Sequence, residues 1–221
     1  MDKIFVFSFD DGTVHDIRMI EILNKYGLRG TFNLNSGLNK FIWYNKDVPI
    51  YRIDLNEFKH IYNGHEVASH TLTHPHMTEI PDDRIVYEVC EDIKNLREIF
   101  NRDIKSFAFP FHDYSEREIN IIKNNVNLTN IRLSVLDESF AFPKDCYHIP
   151  ITSMRLNRAI ELFKEFKKLK EGLFICAGHS YDFYMNNSFD EFEEFVKELS
   201  NCKDIKVMTM QEMVEYIKKY D

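Results

Sequence analysis

Strand-like and helix-like stretches alternate along almost the whole chain, and that alternation narrows the folds open to it more than any single motif does. Residues 4–9, 30–34, 66–69, 106–111, 130–135, 173–177 and 205–210 read as short strands, rich in β-branched and aromatic side chains. Between them, residues 17–26, 54–63, 82–100, 115–125, 155–170, 189–199 and 211–219 read as helices, several with an apolar stripe. Three helix starts are explicit: Asp54 with Glu57, Ser115 with Glu118 and Thr209 with Glu212 have the spacing of a capping box. Strands alternating with helices call for a parallel sheet with its helices outside. Residues 36–53 are the exception, an expected irregular loop holding Phe41, Trp43, Tyr44 and Tyr51. Aromatics there can stack on a ligand or simply pin the loop to the body.

The first strand stops abruptly at Asp10-Asp11-Gly12. Carboxylates at the mouth of a buried strand must be paired, hydrogen-bonded or bound to metal, because desolvating a bare charge is costly. Gly12 permits a sharp turn, so one acid can ligate a metal while its neighbour stays free as a base. The competing reading is a plain turn that caps the next helix. The run at 66–69 leads into His70-Thr71-Leu72-Thr73-His74. If the chain makes one helical turn there, both imidazoles come to one side, a common way to offer two nitrogens to one divalent ion. Pro75 stops any helix from running on, which puts the pair on a turn beyond the strand.

Asp10, Asp11, His70, His74, Pro110, His112 and His179 all fall just after the C-terminal ends of expected strands. In a parallel barrel those ends share one face, where active sites lie. One carboxylate and two neutral imidazoles leave a divalent ion with open positions, the requirement for a hydrolytic Lewis acid rather than a closed structural site. Zinc suits such a set, and cobalt or nickel are accepted by the same ligands.

The 221 residues, 44% of them hydrophobic, fit one domain over 1–221 with a sizeable core. A net charge of -8 argues against a nucleic-acid partner and an anionic membrane surface, and no apolar segment is long enough to span a bilayer. The first strand starts almost at Met1, which leaves no room for a leader and gives a cytoplasmic expectation. Cys90, Cys146, Cys176 and Cys202 form no CxxC pair, so reduced thiols are expected.

Ser8-Phe9-Asp10-Asp11-Gly12 and His70-Thr71-Leu72-Thr73-His74 together resemble the first two motifs of polysaccharide deacetylases of the NodB-homology, carbohydrate esterase 4 type. Phe107-Ala108-Phe109-Pro110-Phe111 partly matches the third motif, and Gly178-His179-Ser180 the late histidine motif. The resemblance implies an α/β fold, a distorted, incomplete (β/α) barrel of about seven parallel strands. It also implies metal-dependent removal of N-acetyl or O-acetyl groups from a saccharide, with Asp11, His70 and His74 as metal ligands, Asp10 as base and His179 as acid. Pro110, Phe111, His112, Arg132 and Trp43 are the expected substrate contacts. Two departures stand out. The third motif usually carries an arginine where this chain has Ala108, for which Arg132 is the candidate substitute. The fourth motif, an acidic segment with a tryptophan, has no clear match, and Asp182 or Asp113 is left to orient His179. A hydrolase of a small non-sugar amide and a silent carbohydrate-binding barrel remain as alternatives.

Overall fold

Strand β1 (Lys3–Asp10) is buried from end to end, as its apolar run requires, and three other strands pair with it. In this computed structural model, which describes residues 1–220, the later strands are β2 (Thr31–Leu34), β3 (Ile42–Asn45), β4 (Val48–Tyr51), β5 (Glu66–Ser69), β6 (Ser106–Ala108), β7 (Asn130–Leu136), β8 (Ile149–Ile151), β9 (Gly172–His179) and β10 (Ile205–Met208). The helices are α1 (Asp16–Lys25), α2 (Leu55–Phe58), α3 (Asp82–Phe100), α4 (Glu116–Asn125), α5 (Leu156–Phe166), α6 (Ser180–Met185), α7 (Phe189–Asn201) and α8 (Met210–Ile217). Ser115 and Thr209 cap α4 and α8 in full capping boxes, as their spacing predicts. No helix among the described residues is long and apolar enough to cross a membrane.

The barrel wall runs β1-β2-β5-β6-β7-β8, all parallel. β9 completes it by pairing with the whole of β1, from Lys3 opposite Gly172 to Asp10 opposite His179. Between β8 and β9 there is one bridge, Ser153 to Cys176, and the Thr152 N–H donates to the Ile175 carbonyl at 2.8 Å. The expected distorted (β/α) barrel with seven parallel strands in its wall is therefore present. One strand of the seven differs from expectation. β10 stays outside the wall, against the first half of β1 (Lys3 to Val6), while β2 takes the second half (Ser8 to Asp10). Its place is filled by β8, whose three residues include a proline and carry no readable pattern.

Alternation along β1 sorts the core into two layers. Phe5, Phe7 and Phe9 face outward against α1, α5 and α7, with Phe5 stacked on Phe174 at 4.7 Å. Ile4 and Val6 face the other way, packing with Leu173, Ile175 and the α8 residues Met210 and Met213.

Residues 36–53 are more ordered than the sequence suggests. β3 and β4 form an antiparallel hairpin closed by Lys46 and Asp47 at φ 48° and 67°. That is a type I′ turn, usually signalled by Asn-Gly, and its absence hides the hairpin. The helix expected from Asp54 is a single turn, α2, followed by a 3-10 turn over Lys59–Tyr62. β6 stops at Ala108, so Pro110 and Phe111 lie on the loop beyond it.

Candidate active site

Asp10 and Asp11 leave the end of β1 toward different partners. Asp10 continues the alternation of Ile4 and Val6 and meets Arg132 from β7, whose Nη2 donates to both carboxylate oxygens at 2.6 and 2.7 Å. Asn33 of β2 donates to Asp10 Oδ1 at 2.7 Å. Asp11 sits at φ 83° and Gly12 at φ 62°, so the chain turns through two left-handed residues. Only the second is glycine, and there a Cβ would meet Leu34 Cδ2 at 2.8 Å. The turn hands Asp11 to Arg52, at the base of the hairpin. Arg52 Nη2 donates to Asp11 Oδ1 at 3.0 Å, while Nη1 donates to the Asp11 carbonyl and, at 2.5 Å, to Asn35 Oδ1.

The histidine loop is bolted down from outside the barrel by α3. Glu88 accepts from the Thr73 N–H and hydroxyl, both at 2.8 Å, and Asp92 accepts from the Ser69 hydroxyl at 2.6 Å. His70 Nδ1 bonds the Ala108 carbonyl at 2.8 Å, which fixes the tautomer and leaves Nε2 directed toward Asp11. His74, at φ 55°, brings its Nε2 to 3.4 Å from Asp11 Oδ1, and His70 Nε2 lies at 3.9 Å from the same oxygen. One ligand atom from each of Asp11, His70 and His74 falls within 4.8 Å of the others, a spacing that one ion can bridge. His179, at the end of β9, approaches from the other side, Nε2 to Asp11 Oδ2 at 3.8 Å, and its Nδ1 bonds Asp182 at 2.9 Å. Gly178, just before it, has φ 150° and leaves room for the Met154 carbonyl.

Burial opposes charge on Asp10, but Arg132 above all, together with His179, outweighs it and holds the carboxyl below the ordinary range. Asp11 is held low against burial in the same way, by Arg52 first and then His179. Burial lowers His70, and lowers His74 to about 3 with help from the neighbouring His70. Both are thus neutral, with a lone pair to offer. Burial works against charge on His179 too, yet the Asp182 bond and the Asp11 and Asp10 carboxylates raise it to about 9. The site therefore presents two carboxylates, two neutral imidazoles and one imidazolium at neutral pH.

These groups form the floor of a cavity of about 500 Å³ at the barrel mouth, walled by Phe41, Trp43, Phe111, His112 and Tyr181. Trp43 lies over the Arg52 guanidinium at 4.9 Å and edge-on to Tyr181, which stacks on His179. Of the other expected contacts, Arg132 is buried behind Asp10, and Pro110 is buried without lining the cavity. Asp113 bonds His76 instead of His179. Arg52, Asn33 and Asn35 are missed by sequence reasoning, because a single Arg or Asn at a strand end carries no spacing signal.

A parallel barrel with paired aspartates and a histidine pair gathered at one mouth is the arrangement that the sequence resemblance leads one to expect. Residues 1–128 match the polysaccharide deacetylase family, and the chain belongs to that family, which supports deacetylase activity on saccharides. Among solved structures it resembles a family 4 acetyl xylan esterase from Clostridium thermocellum in complex with a cobalt ion, with 19% identity, a TM-score of 0.67, and 98% of this chain and 92% of that one covered. It also resembles the CE4 domain of a multidomain xylanase from the hindgut metagenome of Trinervitermes trinervoides (20% identity, TM-score 0.66, 99% and 92% covered). A CE4 family pseudoenzyme from Bacillus anthracis matches at 15% identity and a TM-score of 0.66, with 96% and 66% covered. No curated protein matches the chain.

Proposed function

We propose that this protein hydrolyses N-acetyl or O-acetyl groups of a saccharide, using a divalent ion held by Asp11, His70 and His74, with Asp10 as base and His179 as acid. The observation that carries the reading is the convergence of those three ligand atoms within 4.8 Å, two of them on neutral imidazoles, beside a second, charged carboxylate. The donor set, one oxygen and two nitrogens, fits zinc, with cobalt or nickel acceptable. When bound, the ion supplies Lewis acidity to the acyl oxygen and makes water at the site easier to deprotonate.

The chain's own residues account for the proton movements. Arg132 and Asn33 keep the Asp10 carboxylate ionised and fixed, so it accepts the proton of the attacking water at neutral pH. His179, kept protonated by Asp182, carries the proton that a leaving amine or alkoxide needs on its Nε2. Trp43, Phe111 and Tyr181 wall the cavity with apolar surface suited to the face of a sugar ring and restrict water.

The test is acetate release from a panel of acetylated amino sugars, sugar acetyl esters and simple amides, after chelation and again with zinc or cobalt restored. Release that stops with chelator and returns with metal supports the hydrolase, and the panel names the acyl acceptor. Release confined to simple amides would move the substrate away from saccharides. None under any metal would leave a silent binding barrel.

A further inference from the structure

Met154, which follows β8, stands between the catalytic cavity and a second one of about 690 Å³, and lines both. The walls of the two differ in chemistry. Where the first is aromatic, the second is polar: Lys46 reaches it from the hairpin turn, Arg155 and Asn157 from the start of α5, and Asp182 and Asn186 from α6. Among the described residues neither the Lys46 ammonium nor the Arg155 guanidinium has an ion-pair or hydrogen-bond partner. Arg158, further along α5, shows the contrast, being paired with Glu138 at 2.5 Å. Of the cavity's two carboxylates, Asp182 is engaged by His179 at 2.9 Å, and Glu191 makes no ion pair with either cation among the described residues. The cavity's charges balance in number, but neither cation is held by a carboxylate, so both remain free to meet an anion beside the catalytic groups.

The hairpin that delivers Lys46 is held in place. Trp43 anchors it on Arg52 and Tyr181, Ile50 is fully buried beneath it, and the Val14 N–H donates to the Tyr51 carbonyl at 3.0 Å. The two-residue turn then fixes where Lys46 starts. An ammonium and a guanidinium facing one cavity suit a carboxylate, the guanidinium by its fork and the ammonium as a point charge.

We infer that the second cavity is a subsite for a sugar unit bearing a carboxylate, joined to the unit whose acetyl group enters the catalytic cavity. This rests on the deacetylase reading, and it makes the substrate an acidic saccharide of at least two units. The cation pair recognises the neighbour, and the acyl group is left to the metal-ligand cluster.

The probes are a disaccharide of N-acetylglucosamine and glucuronic acid, and the methyl ester of its uronate, which keeps the shape and removes the charge. Calorimetric binding to the native protein should favour the acid by roughly tenfold at low salt, and added salt should shrink that ratio. The double variant Lys46→Asn/Arg155→Gln should bring the ratio near one while leaving the ester's affinity as it was. Asparagine tolerates the left-handed backbone at 46, and both positions are exposed, so folding is preserved. Equal affinities for acid and ester, or a preference that survives both substitutions, would overturn the subsite. Hydrolysis of a small acetyl ester reads the catalytic groups separately. Binding preference without any hydrolysis would sink the deacetylase reading and keep the anionic subsite.

Discussion

Arg132 reaches across from β7, the fifth strand of the wall, to grip both oxygens of Asp10, and the pair is almost wholly buried, at 1% and 4% side-chain exposure. Its remaining Nε and Nη1 have no hydrogen-bond partner among the described residues, so the guanidinium is committed to that one carboxylate. Removing either member strands a buried charge. Arg132→Met and Asp10→Asn should each lower unfolding stability by about 3–5 kcal/mol, and the double variant by less than their sum. Additive losses in a denaturant double-mutant cycle would show that the two are not coupled.

Arg52 performs a parallel service for Asp11 from the opposite side. It holds both the backbone carbonyl and the carboxylate of a residue with left-handed backbone. Outer partners of metal ligands typically contribute 10–100-fold in metal affinity. Arg52→Ala should therefore weaken zinc binding by roughly that factor, measured by competition with a chromophoric chelator. Unchanged affinity would mean that Arg52 serves folding alone.

The alkaline limb of activity should belong to His179. Its imidazolium is present below its raised value of about 9 and is lost as pH rises through it, so the rate falls on that side. Asp182→Asn removes the largest raising influence and should move the limb toward lower pH. His179→Ala should cost roughly 10²–10⁴-fold in kcat. A pH–rate profile that ignores Asp182→Asn would assign the raised value to Asp11 and Asp10.

A buried carboxyl beneath the acid gives a stability signature. Asp16 accepts hydrogen bonds from the Ser180 and Tyr62 hydroxyls, the latter at 2.7 Å, and burial raises it to about 7. A carboxyl raised in the fold contributes stability below its ordinary value of 3.8, and that contribution is lost as pH climbs through about 7. Asp92, also raised to about 7 by burial, acts with the same sign. Asp16→Asn should therefore flatten part of the decline in urea midpoint between pH 4 and 7.5. An identical slope in variant and parent would place the proton elsewhere.

Long periodic elements were legible in the sequence. The apolar run of β1 and the 19-residue stripe of α3 follow from side-chain spacing alone. Asp10, Asp11, His70, His74 and His179 could be expected at one mouth because parallel strands share their ends. The rest depends on what the barrel brings together from afar. Arg132 could be named as a substitute for the absent arginine, whereas Arg52 could not, since its 41-residue separation from Asp11 is spanned by a hairpin that lacks glycine in its turn. β8 and α6 are too short to leave a periodic trace.

The single bridge between β8 and β9 gives this barrel a seam. The other one-pair join in the wall, Ser69 with Phe107, is reinforced by the His70 side chain on Ala108, and this seam by the Ala177 N–H on the Ser153 carbonyl and the Ile175 N–H on the Thr152 hydroxyl, so parting it breaks a short run of bonds beside Cys176. That thiol is buried in the closed wall and pushed up to about 12, which keeps it inert until the strands part. It is thus a built-in reporter of breathing: its alkylation is gated by the opening of the strand that carries His179, without any label added to the molecule.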